Sequence, residues 1–405
     1  MVQANLPSVS RQELRSICAF SWAGGMALGV HRAGFRHVAL IESGRNARAI
    51  LIANAGNGRS ATVGDWPVVD GDPLDAIEML RPSQLPEIHL VAGSPPVLHT
   101  DPDHVGTAEE DPPNQFASFV DVVRRFRPRA FIVESAAVSP RPGFAGFHRY
   151  LALQLAYPGI SLEPDEVWTN HFARLKAVDA VADVGWSRHG ARYDVKARTL
   201  NAADFGVPQI RRRRFYVGFR GDLRIDWRFP EPTHLRDLLE FDQQSGAYWM
   251  RHSLPSPKTD THANRNAMLP LLSDHRRPRP WRTVRDAIGD LPLFAADGVE
   301  DVLNHHLVPG AKVYLGHTGS VLDAPAKTLK GGSHGIPGGE NTLRTDTGEL
   351  RYLTVREAAR LQRYPDHWRL DGSWAAMMRQ LGNSVPVRLA HVLARSVADS
   401  LASGS

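Results

Sequence analysis

Between residues 16 and 43 the chain runs through an apolar strand, a glycine turn, a helix and a second apolar strand, and few folds accept that order. The run SICAF (16–20) leads into Ala23-Gly24-Gly25, and the spacing predicts a helix over Met26–Ala33 that stops at Gly34, a good C-terminal breaker. The second strand, HVALIES, ends at Glu42. The rhythm then repeats. IHLVAG (88–93) enters a Pro-Pro turn, Phe116, Phe119, Val120 and Val123 recur at helical spacing, and RAFIVES (129–135) follows. Strand and helix in alternation predict an α/β fold with a doubly wound, mostly parallel sheet. Such sheets bind ligands beyond the carboxyl ends of their strands. The glycine turn, Glu42, the Pro-Pro turn and Glu134 all fall at such ends, so they are expected to converge on one crevice.

Further along, FGVPQIRRRRFYVGFR (205–220) reads as a loop entering a strand. Regularity weakens from about residue 221 to 345, as in a smaller, loop-rich insertion. It returns where Thr354 and Glu357 form a capping box for a helix that Pro365 ends, and Pro386 sits in the first turn of a last helix. The expected division is 13–290 for the first part of a large domain, 291–345 for a small one and 346–401 for a C-terminal part that completes the large one.

A length of 405 residues, 42% hydrophobic and 22% charged, suits such a two-part protein. One cysteine, Cys18, excludes an internal disulfide framework and a thiolate metal cluster, and no metal site is expected, since the adjacent His305 and His306 lack the spacing of a helical pair. Cys18 itself lies in the first strand, where a buried structural thiol is expected. No run approaches the length of a membrane span, so a soluble, cytoplasmic protein is expected. The net charge of +5 is compatible with a polyanionic partner without requiring one.

Six segments in this order carry a resemblance: FSWAGGMALGVHRAGF (20–35), GSPP (93–96), VPQIRRRRFYVGF (207–219), WRTVRDAIGDLP (281–292), RYLTVREAARLQRYPDHW (351–368) and QLGNSVP (380–386). Together they resemble the cytosine-5 DNA methyltransferase family. That resemblance implies the fold of S-adenosylmethionine-dependent methyltransferases, with a target-recognition domain at about 291–345. It also implies the chemistry of the family: cytosine is flipped from double-stranded DNA, a cysteine thiolate attacks ring carbon 6, a glutamate bonds ring nitrogen 3, and carbon 5 takes the methyl group. By the same resemblance, Phe20, Gly24, Gly25, Glu42, Asp65 and Asn383 match cofactor positions. Glu134, Arg211 and Arg213 match catalytic positions, and Gln209, Arg211 and Arg213 match DNA-binding ones. Taken singly, Phe20 could be core, Glu42 a strand end and Asn383 a cap. Asn304, His305, His306 and the stretch RRPRPWR (276–282) are candidates for DNA contact or plain loop residues.

The chain departs from the family pattern where the chemistry lies. Val97 stands in the nucleophile position, followed by Leu98, and Ser135-Ala136 follow Glu134 where the family has Asn-Val. Trp22 replaces the first glycine of the turn, where the backbone approaches the ligand, and so stands against S-adenosylmethionine binding. Several departures around one crevice look like natural replacement rather than one deliberate change. The favoured reading is a DNA-binding pseudoenzyme. The alternatives are an active DNA-modifying enzyme of unusual mechanism, and a regulatory subunit partnered with an active methyltransferase or a restriction or defence protein.

Overall fold

Seven strands form the central sheet of the computed structural model: β1 (Leu14–Ala19), β2 (Phe35–Glu42), β3 (Val68–Asp70), β4 (Leu90–Gly93), β5 (Ala130–Ser135), β6 (Tyr193–Asn201) and β7 (Arg212–Arg220). The structure describes residues 13–55, 65–71, 73–96, 115–135, 144–181, 192–257, 278–292, 302–312, 318–331 and 341–403. Spatial order is β3-β2-β1-β4-β5-β7-β6. The first five strands are parallel, and β7 lies antiparallel between β5 and β6. The doubly wound, mostly parallel sheet expected from the sequence is therefore present.

Strands of a parallel sheet are covered on both faces, which explains their near-continuous apolar runs. Side chains alternate between two cores. Cys18, Leu40, Leu90, Ala92, Ala130 and Ile132 face one, while Ile17, Ala19, Ile41, Val91, Phe131 and Val133 face the other. The first core is closed by the helix Gly25–Arg32 and by the C-terminal helix Val387–Ser403, and the second by the helix Gln115–Phe126. Cys18 is fully buried there, and burial pushes its thiol well above the ordinary range.

The chain leaves β1 toward β2 and β3, then returns to place β4 on the other side of β1. The strand order reverses between β1 and β4, so the crevice expected of such sheets opens beyond Ala19 and Gly93.

Thr354 and Glu357 form the expected capping box on the helix Val355–Leu361. The stretch expected to be loop-rich is more regular than that. It holds the helices Arg236–Gln244, Ala247–Arg251 and Val284–Ile288, the last opened by a second capping box from Thr283 and Asp286. These helices are short, and Arg236–Gln244 buries just Leu238 and Leu239, too little apolar pattern to stand out in sequence. A separate three-stranded sheet joins Ser320–Val321, Thr342–Arg344 and Leu350–Tyr352. Among the described residues, no helix is long and apolar enough to cross a membrane.

Candidate active-site crevice

The turn after β1 carries two non-glycine residues in the left-handed region, Phe20 (φ 57°) and Trp22 (φ 54°), before Gly24 (φ 89°). A side chain in that region costs about 1 kcal/mol or more, so surrounding contacts must hold the turn. Those contacts are visible. The backbone N–H of Phe20 donates to Ile41 O at 3.2 Å, and that of Trp22 donates to Glu42 Oε2 at 3.2 Å. The other carboxylate oxygen of Glu42 accepts from Gly44 N at 3.1 Å. Burial raises the Glu42 pKa, and these backbone donors with Arg48 pull part of it back. In this structure Glu42 therefore braces the turn.

Phe20 is buried in the second core, with Ile41 and Phe119. Gly24 and Gly25 have a packing reason to be glycine. A Cβ on Gly25 would lie 2.0 Å from Val385 O, and one on Gly24 would lie 2.7 Å from Trp368 Cζ2. Gly25 N also donates to Ser384 Oγ, which bonds Tyr364 Oη at 2.7 Å. Asp65 is exposed beside the buried Trp66. Asn383 ends the helix Trp374–Asn383 and sets its side-chain oxygen against Gly331.

Trp22 reaches across the crevice. Its indole Nε1 donates to Ser94 O at 2.9 Å, joining the turn after β1 to the turn after β4. Ser94 Oγ in turn donates to Glu134 Oε2, and Glu134 Oε1 lies 3.0 Å from Arg213 Nε. That last contact is an ion pair whose angle falls short of an aligned hydrogen bond. A continuous polar chain, Trp22–Ser94–Glu134–Arg213, therefore crosses the ends of β1, β4, β5 and β7. Ser94 is the member that sequence reasoning missed. Its place in GSPP is visible, but nothing local shows that its hydroxyl meets a residue forty positions away.

Arg211 lies beside this polar chain, close enough to feel the charges of Glu134 and Arg213, and Gln209 precedes it in the same loop, bridged to Ala326; both are fully buried. Among the described residues, neither side-chain polar atom of Gln209 has a hydrogen-bond partner, and neither does Arg211 Nε. The Arg211 guanidinium donates to Leu329 O at 3.3 Å. Burial lowers its pKa to about 9, with Arg213 adding to the fall and Glu134 and Tyr364 opposing it. Each unsatisfied buried polar atom costs about 1–3 kcal/mol. Such a group has a reason to persist where a ligand completes it.

Other sequence candidates fall into structural roles. His305 bonds Thr354 Oγ1 and Pro292 O at 3.0 Å each, and Asn304 Nδ2 donates to Leu370 O at 3.0 Å. His306 is exposed. Trp281 Nε1 donates to Asp204 Oδ1. Val97, Leu98 and Ala136 lie outside the described residues, as do Arg276 and Arg277. No cluster of three or more metal-ligating side chains occurs among the described residues.

Comparison with known proteins agrees with this architecture. The Type II methyltransferase M1.HphI of Haemophilus parahaemolyticus is 25% identical over 415 residues, covering 95% of this chain and 86% of that protein. M.MthTI of Methanothermobacter thermautotrophicus is 26% identical over 405 residues, covering 94% and 96%. Among solved structures, a Spodoptera frugiperda DNMT2 mutant superimposes with TM-score 0.54 at 14% identity, covering 95% of this chain and 99% of that one. The Dnmt2 methyltransferase of S. pombe gives 0.51 at 15%, covering 96% and 98%. At these identities the structural likeness speaks for the fold alone. Residues 185–399, more than half of the chain, match the model of the C-5 cytosine-specific DNA methylase family, a span that takes in Gln209, Arg211, Arg213 and Asn383. On that match, the chain belongs to the C-5 cytosine-specific DNA methylase family.

Proposed function

We propose that this methyltransferase-like protein binds duplex DNA and does not transfer methyl groups to cytosine by the covalent route. The observation that carries the reading is the Trp22 indole bonded to Ser94 O across the point where the strand order reverses. The family's cofactor, S-adenosylmethionine, belongs in that crevice. The residues present do not fit it: an indole spans the opening, bonded to the turn on its far side. Val97 adds a second obstacle, because valine has no ionisable group or lone pair with which to attack a ring carbon.

The polar side of the crevice supports retained binding. Arg213 and Ser94 hold Glu134 from two directions, while Gln209 and Arg211 keep buried polar atoms without partners among the described residues. A base edge swung out of a duplex offers the donors and acceptors that would satisfy them. On this reading the segment 291–345 serves as the target-recognition-like part, and arginine contacts to phosphate supply affinity that weakens with salt.

The test pairs two measurements on the purified full chain. Transfer of radiolabelled methyl from S-adenosylmethionine to mixed genomic DNA is expected to be absent, with an active relative as positive control. Duplex binding by mobility shift is expected to persist and to weaken steeply between 50 and 200 mM salt, about the range over which such contacts are lost. Label in the DNA that disappears in Glu134→Ala would overturn the reading in favour of an enzyme with an unusual nucleophile. Absence of both label and DNA binding would instead favour a purely regulatory subunit.

A further inference from the structure

A second cavity, of about 510 Å³, lies apart from the crevice: none of Trp22, Ser94, Glu134 or Arg213 lines it. Its wall brings together Arg32 from the end of the first helix, Arg363 from the turn after Val355–Leu361, and Arg388 and His391 from the C-terminal helix. Arg282, from the stretch singled out in the sequence, adds its charge from just before the helix Val284–Ile288.

The acids at this cavity are already engaged. Asp290 and Asp366 both pair with Arg360. Asp286 accepts from Thr283 N in its capping box and from His252 Nε2. Among the described residues, no carboxylate forms an ion pair with Arg32, Arg282, Arg363 or Arg388. Instead the arginines face one another. Burial lowers the Arg363 pKa first, and Arg282, Arg388 and Arg32 lower it further. Arg363 is also held in the left-handed region, at φ 67°. Like charges gathered in a concavity, on a strained backbone, destabilise the protein by themselves, and such arrangements persist where function requires them.

We propose that this cavity is a binding site for a compact, multiply charged phosphate group, of the size and charge of a di- or triphosphate. Guanidinium forks match phosphate oxygens in planar pairs, and several forks converging from different elements suit more than one phosphoryl group. The volume is in the range of small-ligand pockets, about 300–1,000 Å³. The same chemistry has two sources, a free polyphosphate or nucleotide and a pair of phosphates on a DNA strand, and the experiment separates them.

Sodium tripolyphosphate is titrated against the full chain by calorimetry and by thermal unfolding, with sodium chloride at matched ionic strength as control. Saturable binding and a raised unfolding temperature are expected. Arg388→Gln and Arg32→Gln should each weaken binding at least tenfold. In the absence of anion, each variant should unfold at the same temperature as the wild type or higher, because a repulsion has been removed; loss of binding is then not loss of folding. If tripolyphosphate competes with duplex DNA and the variants weaken both, the physiological phosphate is on the strand. If DNA binding is unchanged in the variants, the ligand is free in solution. Either supports the site. A tripolyphosphate effect no greater than that of chloride, or one equal in wild type and both variants, would overturn it.

Discussion

At Trp22 a residue that the sequence marks as misplaced proves to be bonded into the structure, and its two roles make opposed predictions. Trp22→Gly removes the left-handed φ penalty, since glycine takes that conformation freely, but it also removes the bond to Ser94 O. Relief of the strain and loss of that bond are of similar size, about 1 kcal/mol each, but the packing of the half-buried indole is lost as well, so a net destabilisation of about 1–3 kcal/mol is expected in urea unfolding. Ligand access should change too. S-adenosylmethionine binding, measured by calorimetry, is expected to be absent in the wild type and detectable in Trp22→Gly. Val97→Cys alone is expected to leave methyl transfer undetectable. Restoration by that single change would show that the indole leaves the cofactor site open. Ser94→Ala tests a different link. It strips the buried Glu134 carboxylate of its hydroxyl donor and is expected to destabilise the fold by about 1–3 kcal/mol in urea unfolding. Trp22 and Val97 are legible in the sequence because each replaces a residue type whose purpose is known. The link through Ser94 is not, because a serine hydroxyl takes whatever partner the tertiary structure brings.

Elements differ in how plainly they announce themselves. The strands β1, β2, β4 and β5 are apolar runs bounded by turns, and the Thr354 capping box marks its helix in four residues. Between residues 136 and 204 the sequence reading assigns no element, yet the structure has the helices Phe144–Ala156 and Trp168–Ala180 and the strand β6. β6 is an edge strand, YDVKARTLN, in which Tyr193, Val195 and Ala197 alternate with Asp194, Lys196 and Arg198; that period of two lasts only six residues and breaks where Leu200 and Asn201 are buried in succession, so it is a short signal that the sequence reading passes over. The junction of the glycine turn with the C-terminal segment is a sharper case. Gly25 is visible as a turn glycine, but its closest neighbour, Val385, lies at the far end of the chain. Gly25→Ala would place a methyl group 2.0 Å from the Val385 carbonyl, where backbone must move on both sides. A loss of about 2 kcal/mol or more is expected, at the upper end for overpacking, read as a lower urea midpoint with an unchanged slope. An undisturbed midpoint would mean that the C-terminal segment docks loosely on the turn.

For the molecule as a whole, acid is the condition to which this packing is most exposed. His37 is fully enclosed, with its ring nitrogens on Ser16 Oγ and Ala27 O at 2.9 Å each. Burial pulls its pKa down to about 3, the Ala27 carbonyl resists that fall, and His31 adds to it. Burial likewise lowers His148 to about 4, helped by Arg214, and His234 to about 4, helped by Arg388 and three further arginines. An unfolded histidine titrates near 6.5, so below that pH the unfolded chain takes up protons that the native protein refuses. Stability contributed by keeping these rings neutral is therefore complete above about pH 7.5 and lost progressively as the pH falls toward 4. Glu42 acts in the opposite sense: with its pKa raised by burial, the native protein takes up that proton before the unfolded chain does, which favours folding on acidification. Burial also lowers His89, His171 and His391 and raises Asp204, so among the described residues six histidines stand against two carboxylates and the histidines dominate from pH 6.5 downward. The unfolding temperature is expected to fall continuously from pH 7.5 to 5, with net proton uptake on unfolding, measurable by calorimetry in buffers of different ionisation enthalpy. His37→Asn, which cannot titrate, should cost stability at pH 7.5 but flatten that fall. A flat profile in the wild type would mean that water reaches these rings in the native state.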